Sequence, residues 1–483
     1  MCLAASPGPV PTFIETMDPI KVHLSSTFIR AHVSINVRMR FPVPAPPLDL
    51  TLLASLRPEQ LRPEHLRPTL SDGRYLHWDE LRRRSPPEGL DRERWWFAMH
   101  LARRQGQVVI PGLTDLHGRA FWFCRHDAID RATHELDRRD VARELLVALG
   151  DESTREAYRI DQLLEEAISS SLIEGARITT RADAKAMVRE RRAPVSRGER
   201  MVLNNYLAME HLLTTVDERL SLDLLLELHA ILGRDALEVE GAEGRLRRPD
   251  EDVNVVDAIT GEIWHTPPPA AELPKRLDAL FAFANGDVEP ESFIHPLVRA
   301  MTLHFWMAYV HPFADGNGRI ARALFYWQLL RSGYESAQYL SISGPIDRSK
   351  RAYYLAFAHS ETSHGDFTYF LLHQLGVLRA ANDELVDHLR DHGQRMRTLS
   401  QTLQRSESLN HRQRAALDHL LHDAHSGLTI RAHAARHRVT YLTARRDLQD
   451  LERASFVRRV RVGRTDHYHP TEELLAQVRG GRV

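Results

Sequence analysis

Apolar and polar positions follow one another along most of this chain with the 3.6-residue period of an α-helix. Between residues 155 and 173, Ile160, Leu163, Leu164, Ala167, Ile168, Ser171 and Leu172 recur at i, i+3, i+4, i+7, i+8, i+11 and i+12, a continuous face for burial. Helical spacing also runs through residues 75–104, 126–149, 199–213, 220–232, 293–310, 320–330 and 368–403. Strand signals are short. Residues 108–110 and 120–123 flank Pro-Gly and His-Gly turns, and residues 253–256 and 262–264 flank a turn containing Gly261. The expected fold class is mainly α: a helical core carrying a β-hairpin, a small mixed N-terminal domain, and a C-terminal module of three helices and a hairpin.

Shifts in pattern divide the chain further. Residues 1–49 mix Pro, Ser and Thr with short apolar pieces and hold no period, so a poorly ordered extension is expected, with Met39 before a proline-rich lead-in as the expected start. Residues 50–150 form the mixed domain, where Trp78, Trp95 and Trp96 stand at helical spacing and are expected in a core rather than against a base. Residues 151–376 form the helical core, 377–404 a helical linker and 405–483 the C-terminal module.

A chain of 483 residues can bury a large core, and a net charge of −1 with 27% charged residues names no partner. Cys2 and Cys124 are too few for a disulfide framework, which fits a reducing cytoplasm. No stretch reaches the roughly 18 uninterrupted apolar residues of a membrane span.

Chemistry concentrates in the loop His311-Pro-Phe-Ala-Asp-Gly-Asn-Gly-Arg-Ile-Ala-Arg322, between two of the helical segments. Gly316 and Gly318 let the backbone curl into a helix start, where free amides and the helix dipole favour an anion such as phosphate. Arg319 and Arg322, three apart, present two guanidiniums. Asp315 offers a hard oxygen suited to Mg²⁺, and His311 a base that works near neutral pH. A plain glycine turn with solvated arginines accounts for Gly316, but not for the base and cations around it. Base, metal carboxylate, anion cradle and arginines are the parts for moving a phosphoryl or nucleotidyl group onto a hydroxyl.

These twelve residues resemble the motif of the Fic family, His-x-Phe-x-Asp/Glu-Gly-Asn-Gly-Arg-x-x-Arg, at every specified position. The resemblance implies transfer of AMP from ATP to a Ser, Thr or Tyr hydroxyl of a protein. It implies His311 as general base, Asp315 as the Mg²⁺ ligand, and Gly316, Asn317 and Gly318 as the anion hole. Arg319 and Arg322 would hold the leaving pyrophosphate, with Phe313 anchoring the loop.

Ser170-x-x-x-Glu174-Gly175, at the end of the 155–175 helix, resembles the family's inhibitory motif, which implies a Glu174 that pairs with Arg322 and blocks productive ATP binding. Taken alone, Glu174 is a helix-end glutamate before a C-cap glycine. The resemblance also makes the 253–264 hairpin a flap that pairs with a target's backbone, Val255 and Ile263 clamping the modified residue, and puts Tyr354 beside the adenine. His304, seven residues before His311, lacks the spacing of a short zinc-binding pair and is expected as a hydrogen-bonded core histidine.

Residues 401–483 hold fifteen arginines against nine acids. Helices at 412–421, 430–436 and 442–453, then strands at 457–462 and 465–468, predict a winged helix-turn-helix. Tyr441, Thr443, Arg445 and Arg446 would sit on its recognition helix, and Arg459, Arg461 and Arg464 on its wing, as candidates for DNA contact; protein contact is the alternative. The expected protein is a cytoplasmic, self-inhibited adenylyltransferase using Mg²⁺ and ATP, with a target protein or itself as acceptor and a homodimer left open. The alternatives are a nucleotide-sensing transcription regulator, or the same site used to remove AMP or transfer UMP.

Overall fold

A computed structural model describes residues 33–35 and 39–474, apart from 49–50, 52–56, 58–61, 139–151, 190, 252, 289–290, 406–408, 423–426 and 463–464. Strand β1 (Val33–Ile35) comes first, then helices α1 (Trp78–Leu81) and α2 (Arg92–Gln105). The antiparallel pair β2 (Gln107–Thr114) and β3 (Ala120–Cys124) follows, with α3 (Asp127–Arg138) after it. Next stand α4 (Glu152–Ile173), α5 (Arg181–Arg189), α6 (Arg197–Thr214) and α7 (Leu222–Gly233). A hairpin of β4 (Val255–Asp257) and β5 (Ile263–His265) leads to α8 (Leu273–Asn285), α9 (Pro296–Val310) and α10 (Asn317–Arg331). Helices α11 (Ser343–Arg348), α12 (Lys350–Thr362) and α13 (Thr368–Arg405) complete this part, which is mainly α.

Helices α9 and α10 form the centre. Almost every residue of both is buried, because apolar side chains ring the helices instead of lining one stripe. Amphipathic helices pack around them: the stripe Leu163, Leu164, Ala167 and Ile168 of α4 is fully buried against the same core.

The mixed segment expected at 50–150 shares that core. Val108, Ile110, Phe121, Phe123, Ile129 and Leu136 belong to the cluster that holds α9 and α10. Phe121 meets Phe305 edge to face at 5.2 Å, and the Phe367 amide donates to Trp122 O at 2.7 Å. The β2–β3 hairpin therefore packs on α9 and α10, whereas Leu76, Leu81, Leu90, Trp95, Trp96 and Met99 form a smaller cluster of their own with Ala45. The expected linker 377–404 is the continuation of α13, whose Val377, Leu378, Leu385 and Leu389 sit in the same cluster.

The extension expected to lack order lies mostly outside the described residues, but two parts of it differ from expectation. Val33–Ile35 pairs in parallel with β4, giving a sheet ordered β1-β4-β5. Met39 is buried with Trp264 and Ala358, and Phe41 packs on Trp264. Neither shows in the sequence because their partners lie more than 200 residues away.

The C-terminal part has its own core of Leu417, Leu420, Leu448, Leu451, Val457 and Tyr468. It comprises α14 (His411–His422), β6 (Leu428–Thr429), α15 (Ile430–His437), α16 (Tyr441–Arg453), β7 (Val457–Val462) and β8 (Thr465–Pro470). The sheet order is β6-β8-β7, and α16 starts on a Thr440 cap whose hydroxyl accepts from the Thr443 amide.

Candidate active site

The loop between α9 and α10 is held from several sides. His311 ends α9 in the left-handed region at φ 49°, a conformation that costs energy for a residue with a Cβ and that the surroundings must impose. Arg247 imposes it: its guanidinium donates to His311 O at 2.8 Å and its amide to Pro312 O at 2.8 Å. Asn317 brackets the loop, accepting from the Phe313 amide at 2.9 Å and donating to Phe313 O at 2.8 Å. Phe313 is fully buried and stacks on His229, ring centres 3.7 Å apart. His229 Nε2 also donates to Asp315 O at 2.9 Å while its Nδ1 accepts from the Gly244 amide at 3.1 Å. Both ring nitrogens are thus used in the neutral tautomer, and burial pushes the pKa of His229 down to about 4. Gly316, at φ 86°, is the N-cap of α10 and makes the turn that aims the first free amides of that helix.

His311 Nδ1 lies 3.1 Å from Ala308 O. A carbonyl can only accept, so Nδ1 carries the proton and Nε2 keeps its lone pair. Nε2 is buried and has no hydrogen-bond partner. Burial, then the charge of nearby His265, push His311 down to about 3, which keeps the ring neutral at physiological pH with its Nε2 lone pair unprotonated.

Beside it opens a cleft lined among others by His311, Gly318, Arg322, Val255, His265 and Tyr354. Arg322 is almost fully buried. Its Nε donates to Ser170 Oγ at 2.9 Å, and its Nη2 to Ser170 O at 3.0 Å and to Glu174 Oε1 at 2.8 Å. Burial alone would lower the Arg322 pKa, but the Glu174 carboxylate outweighs it and raises it. Nη1 has no hydrogen-bond partner. Gly175, at φ 82°, ends α4 and turns Glu174 towards the loop. The carboxylate lies so close to Gly318 that a Cβ there would overlap Oε1 and sit 2.9 Å from Cδ. A side-chain anion therefore rests on the first turn of α10, where its dipole is positive.

The structure brings His311, Gly318, Arg322, Glu174, Ser170, Val255 and Tyr354 together. Arg319 goes elsewhere: Nη1 donates to Leu232 O at 3.1 Å and Nη2 stands 3.6 Å from Asp315 Oδ1, so it does not line the cleft with Arg322. Asp315 accepts from the Gly316 amide at 2.5 Å and, through Oδ2, from the Glu238 amide and Arg197 at 3.2 and 3.3 Å. Ile263 is half exposed and does not line the cleft; the next two residues of β5, Trp264 and His265, do. His304 is buried and hydrogen-bonded to Tyr353 OH at 2.8 Å. Arg464 lies outside the described residues.

Sequence reasoning missed His229, Arg247, His265 and Glu361. His265 joins the flap to the body, Nδ1 at 2.8 Å from Glu361 and Nε2 at 2.8 Å from Tyr309 O. Burial opposes its protonation, but Glu361 prevails and raises its pKa. No motif marks these residues; each acts through a partner distant in sequence.

A profile of the Fic/DOC family matches residues 219–329, which include the loop, His229 and the flap but not Glu174. The protein adenylyltransferase Fic of Nematostella vectensis is 31% identical over 154 residues, 32% of this chain and 31% of that protein. That of Drosophila virilis is 29% identical over 160 residues, 33% of this chain and 30% of that protein. The chain spans about a third of the length of these curated relatives. A crystal structure of a Fic family protein from Desulfovibrio desulfuricans G20 aligns with 72% of this chain and 98% of its own at 22% identity and a TM-score of 0.47. The chain thus carries, at residues 219–329, a domain of the Fic/DOC family.

Proposed function

We propose that this protein is a self-inhibited protein adenylyltransferase, moving AMP from Mg·ATP to a Ser, Thr or Tyr hydroxyl of a protein. The observation that carries the proposal is the unpaired Nε2 of a neutral, tautomer-fixed His311, set in one cleft with the unpaired Nη1 of Arg322. An unpaired buried polar atom costs about 1–3 kcal/mol, so two in one cleft favour a polar ligand that pairs them.

In this reading the hydroxyl oxygen attacks the α-phosphorus and gives its proton to His311 Nε2. The bond from the α-phosphorus to the bridging oxygen breaks, and pyrophosphate leaves. The amides of Asn317 and Gly318, and that of Gly316 once it releases Asp315 Oδ1, would donate to the α-phosphate oxygens, and Arg322 would hold the leaving group. Arg319 joins it only after releasing Leu232 O. Tyr354 forms a wall of the base pocket. Among the described residues no cluster of three or more His, Cys, Asp or Glu could hold a metal, so Asp315 is the single protein ligand proposed. One carboxylate completed by phosphate oxygens and water suits Mg²⁺, which would neutralise phosphate charge.

Glu174 acts as the brake. It occupies Arg322 Nη2 and crowds Gly318, where a polyphosphate oxygen would have to rest. Incubating wild type, Glu174→Gly and His311→Ala with α-labelled ATP tests the whole reading. Protein-bound label should rise in Glu174→Gly and vanish when His311→Ala is added. A Glu174→Gly protein that binds ATP and never transfers label refutes it, and mass analysis with other triphosphates separates AMP from UMP transfer.

The C-terminal part is proposed as a winged helix that binds DNA. Tyr441 and Leu442 stand exposed at the start of α16, close in sequence to Thr443, Arg445 and Arg446. On the wing, Arg461 pairs with Asp466 at 2.6 Å, and Arg459 approaches Glu452 and Asp466 at 3.5 and 3.8 Å. Such exposed pairs contribute about 0–1 kcal/mol and can exchange for phosphates. Duplex retention by the full chain should fall steeply with salt and be lost in Arg445→Ala/Arg446→Ala; retention unaffected by either points to a protein partner.

A further inference from the structure

The flap hairpin has two lateral edges, of which that of β4 is paired with a further strand. On one side, β5 is fastened to the body through His265, which reaches Tyr309 O and Glu361. On the other, β4 is paired along its length with β1, in parallel register Val33 to Val255, Ser34 to Val256 and Ile35 to Asp257. An extended segment adding to a sheet needs a row of unpaired backbone groups. At β4 this chain has already supplied the strand.

Residues 39–46 are strapped down beside the flap. Met39 is buried against Val255, Trp264, Tyr354 and Ala358, and Phe41 meets Trp264 edge to face at 5.4 Å. The Ala45 amide donates to Thr362 O at 2.9 Å, and Pro46 O lies 3.0 Å from His364 Nε2. Val255, Trp264, Tyr354 and Ala358 also line the cleft that contains His311, so strap and cleft share a wall. The strand is held close to its edge by its own chain, at the high local concentration of an intramolecular ligand.

We propose that Val33–Ile35 is a built-in occupant of the target-docking edge, a pseudosubstrate strand that an incoming protein segment must displace. The inference rests on the reading of the β4–β5 hairpin as the flap that receives the target. The residue in register with Val255 is a valine, which has no hydroxyl to modify, so the strand holds the edge without being consumed. It is a second restraint, independent of Glu174: one occupies the anion cradle, the other the acceptor's place. The partner that fits is an extended segment carrying Ser, Thr or Tyr at the position of Val33.

Ser34→Pro and Ile35→Pro test it in the full chain. Successive amides of a strand point to opposite sides, so one of these two substitutions must remove a bond to β4. The Asp257 amide donates to Glu262 O within the hairpin, so the Val256 amide is the one of β4 that points to β1, and its hydrogen exchange should become at least about tenfold faster in that variant, corresponding to a lost protection of about 1.4 kcal/mol. Unchanged exchange in both variants overturns the proposal without reference to catalysis. In the Glu174→Gly background, a synthetic peptide spanning residues 29–38 with Val33→Thr serves as acceptor for α-labelled ATP. Peptide labelling should rise about fivefold or more when the effective proline substitution is added, and equal labelling with and without it also overturns the proposal. If Glu174→Gly transfers no label to anything, the adenylyl-transfer reading fails, while the exchange measurement still decides who holds the edge.

Discussion

Glu174→Gly has a thermodynamic consequence that can be measured before any target is known. The Arg322 side chain is 1% exposed and its partner Glu174 13%. Removing one member of a buried pair costs about 3–5 kcal/mol when the other is left with nothing. Here Arg322 keeps Ser170 Oγ and Ser170 O, two of its three hydrogen bonds, so a loss of about 2 kcal/mol is expected. For a unit of 150–250 residues that lowers the melting temperature by about 4–8 °C. The polyphosphate of ATP should restore it: at a hundred times its dissociation constant a ligand stabilises by about 2.7 kcal/mol, and only the variant offers it an unobstructed Arg322. Thermal unfolding with and without Mg·ATP should therefore show a lower apo transition and a larger nucleotide shift in Glu174→Gly than in wild type. Glu174→Gln, which keeps an acceptor but loses the charge, should fall between. Equal melting temperatures and equal nucleotide shifts in all three proteins would refute the claim that this ion pair and the nucleotide compete for one guanidinium.

Three further outcomes are expected. Gly318→Ala should destabilise the wild-type chain, because its Cβ overlaps Glu174, and much less in the Glu174→Gly background; a coupling of about 1–2 kcal/mol in a double-mutant cycle checks this. His229→Phe preserves the stack on Phe313 but loses the bonds to Asp315 O and from the Gly244 amide, so label transfer in the Glu174→Gly background should slow about 10- to 100-fold. The third concerns acid stability. Burial pushes His100 and His311 down to about 3 and His229, His359 and His373 to about 4, and it also lowers His77 and His304. Unfolded histidines titrate near 6.5, so below that value the unfolded chain binds more protons and stability falls with pH towards the folded values. Each such histidine contributes up to about 1.4 kcal/mol per pH unit; His265, whose pKa is raised, contributes in the opposite sense, stabilising at low pH and losing that as pH rises through its folded value. Urea midpoints should drop steadily from pH 7 to pH 5, and a flat profile contradicts the neutral burial of these rings.

The parts of the site that were legible in sequence share one property: their residues are neighbours along the chain. The loop from His311 to Arg322 makes its own turn at Gly316 and its own helix start, so spacing alone conveys which groups lie together. The face of α4 was readable for the same reason, and with it Ser170 and Glu174 one turn apart. The flap was legible as a hairpin, but which of its residues line the cleft was not: Trp264 and His265, adjacent in β5, both do, and His265 is placed there by Tyr309 and Glu361, distant in sequence.

What the sequence determined by itself was the set of helices, the hairpins, and a twelve-residue loop with an imidazole, a carboxylate, two glycines and two arginines. Tertiary structure decided which of these groups are paired and which are left unpaired. It set Glu174 against Arg322 across 148 residues of chain, turned Arg319 towards Leu232, placed His229 under Phe313, and laid Val33–Ile35 along β4. Local patterns arise from backbone geometry within a few residues, whereas pairings of this kind depend on how whole faces pack together, which no short window of sequence contains.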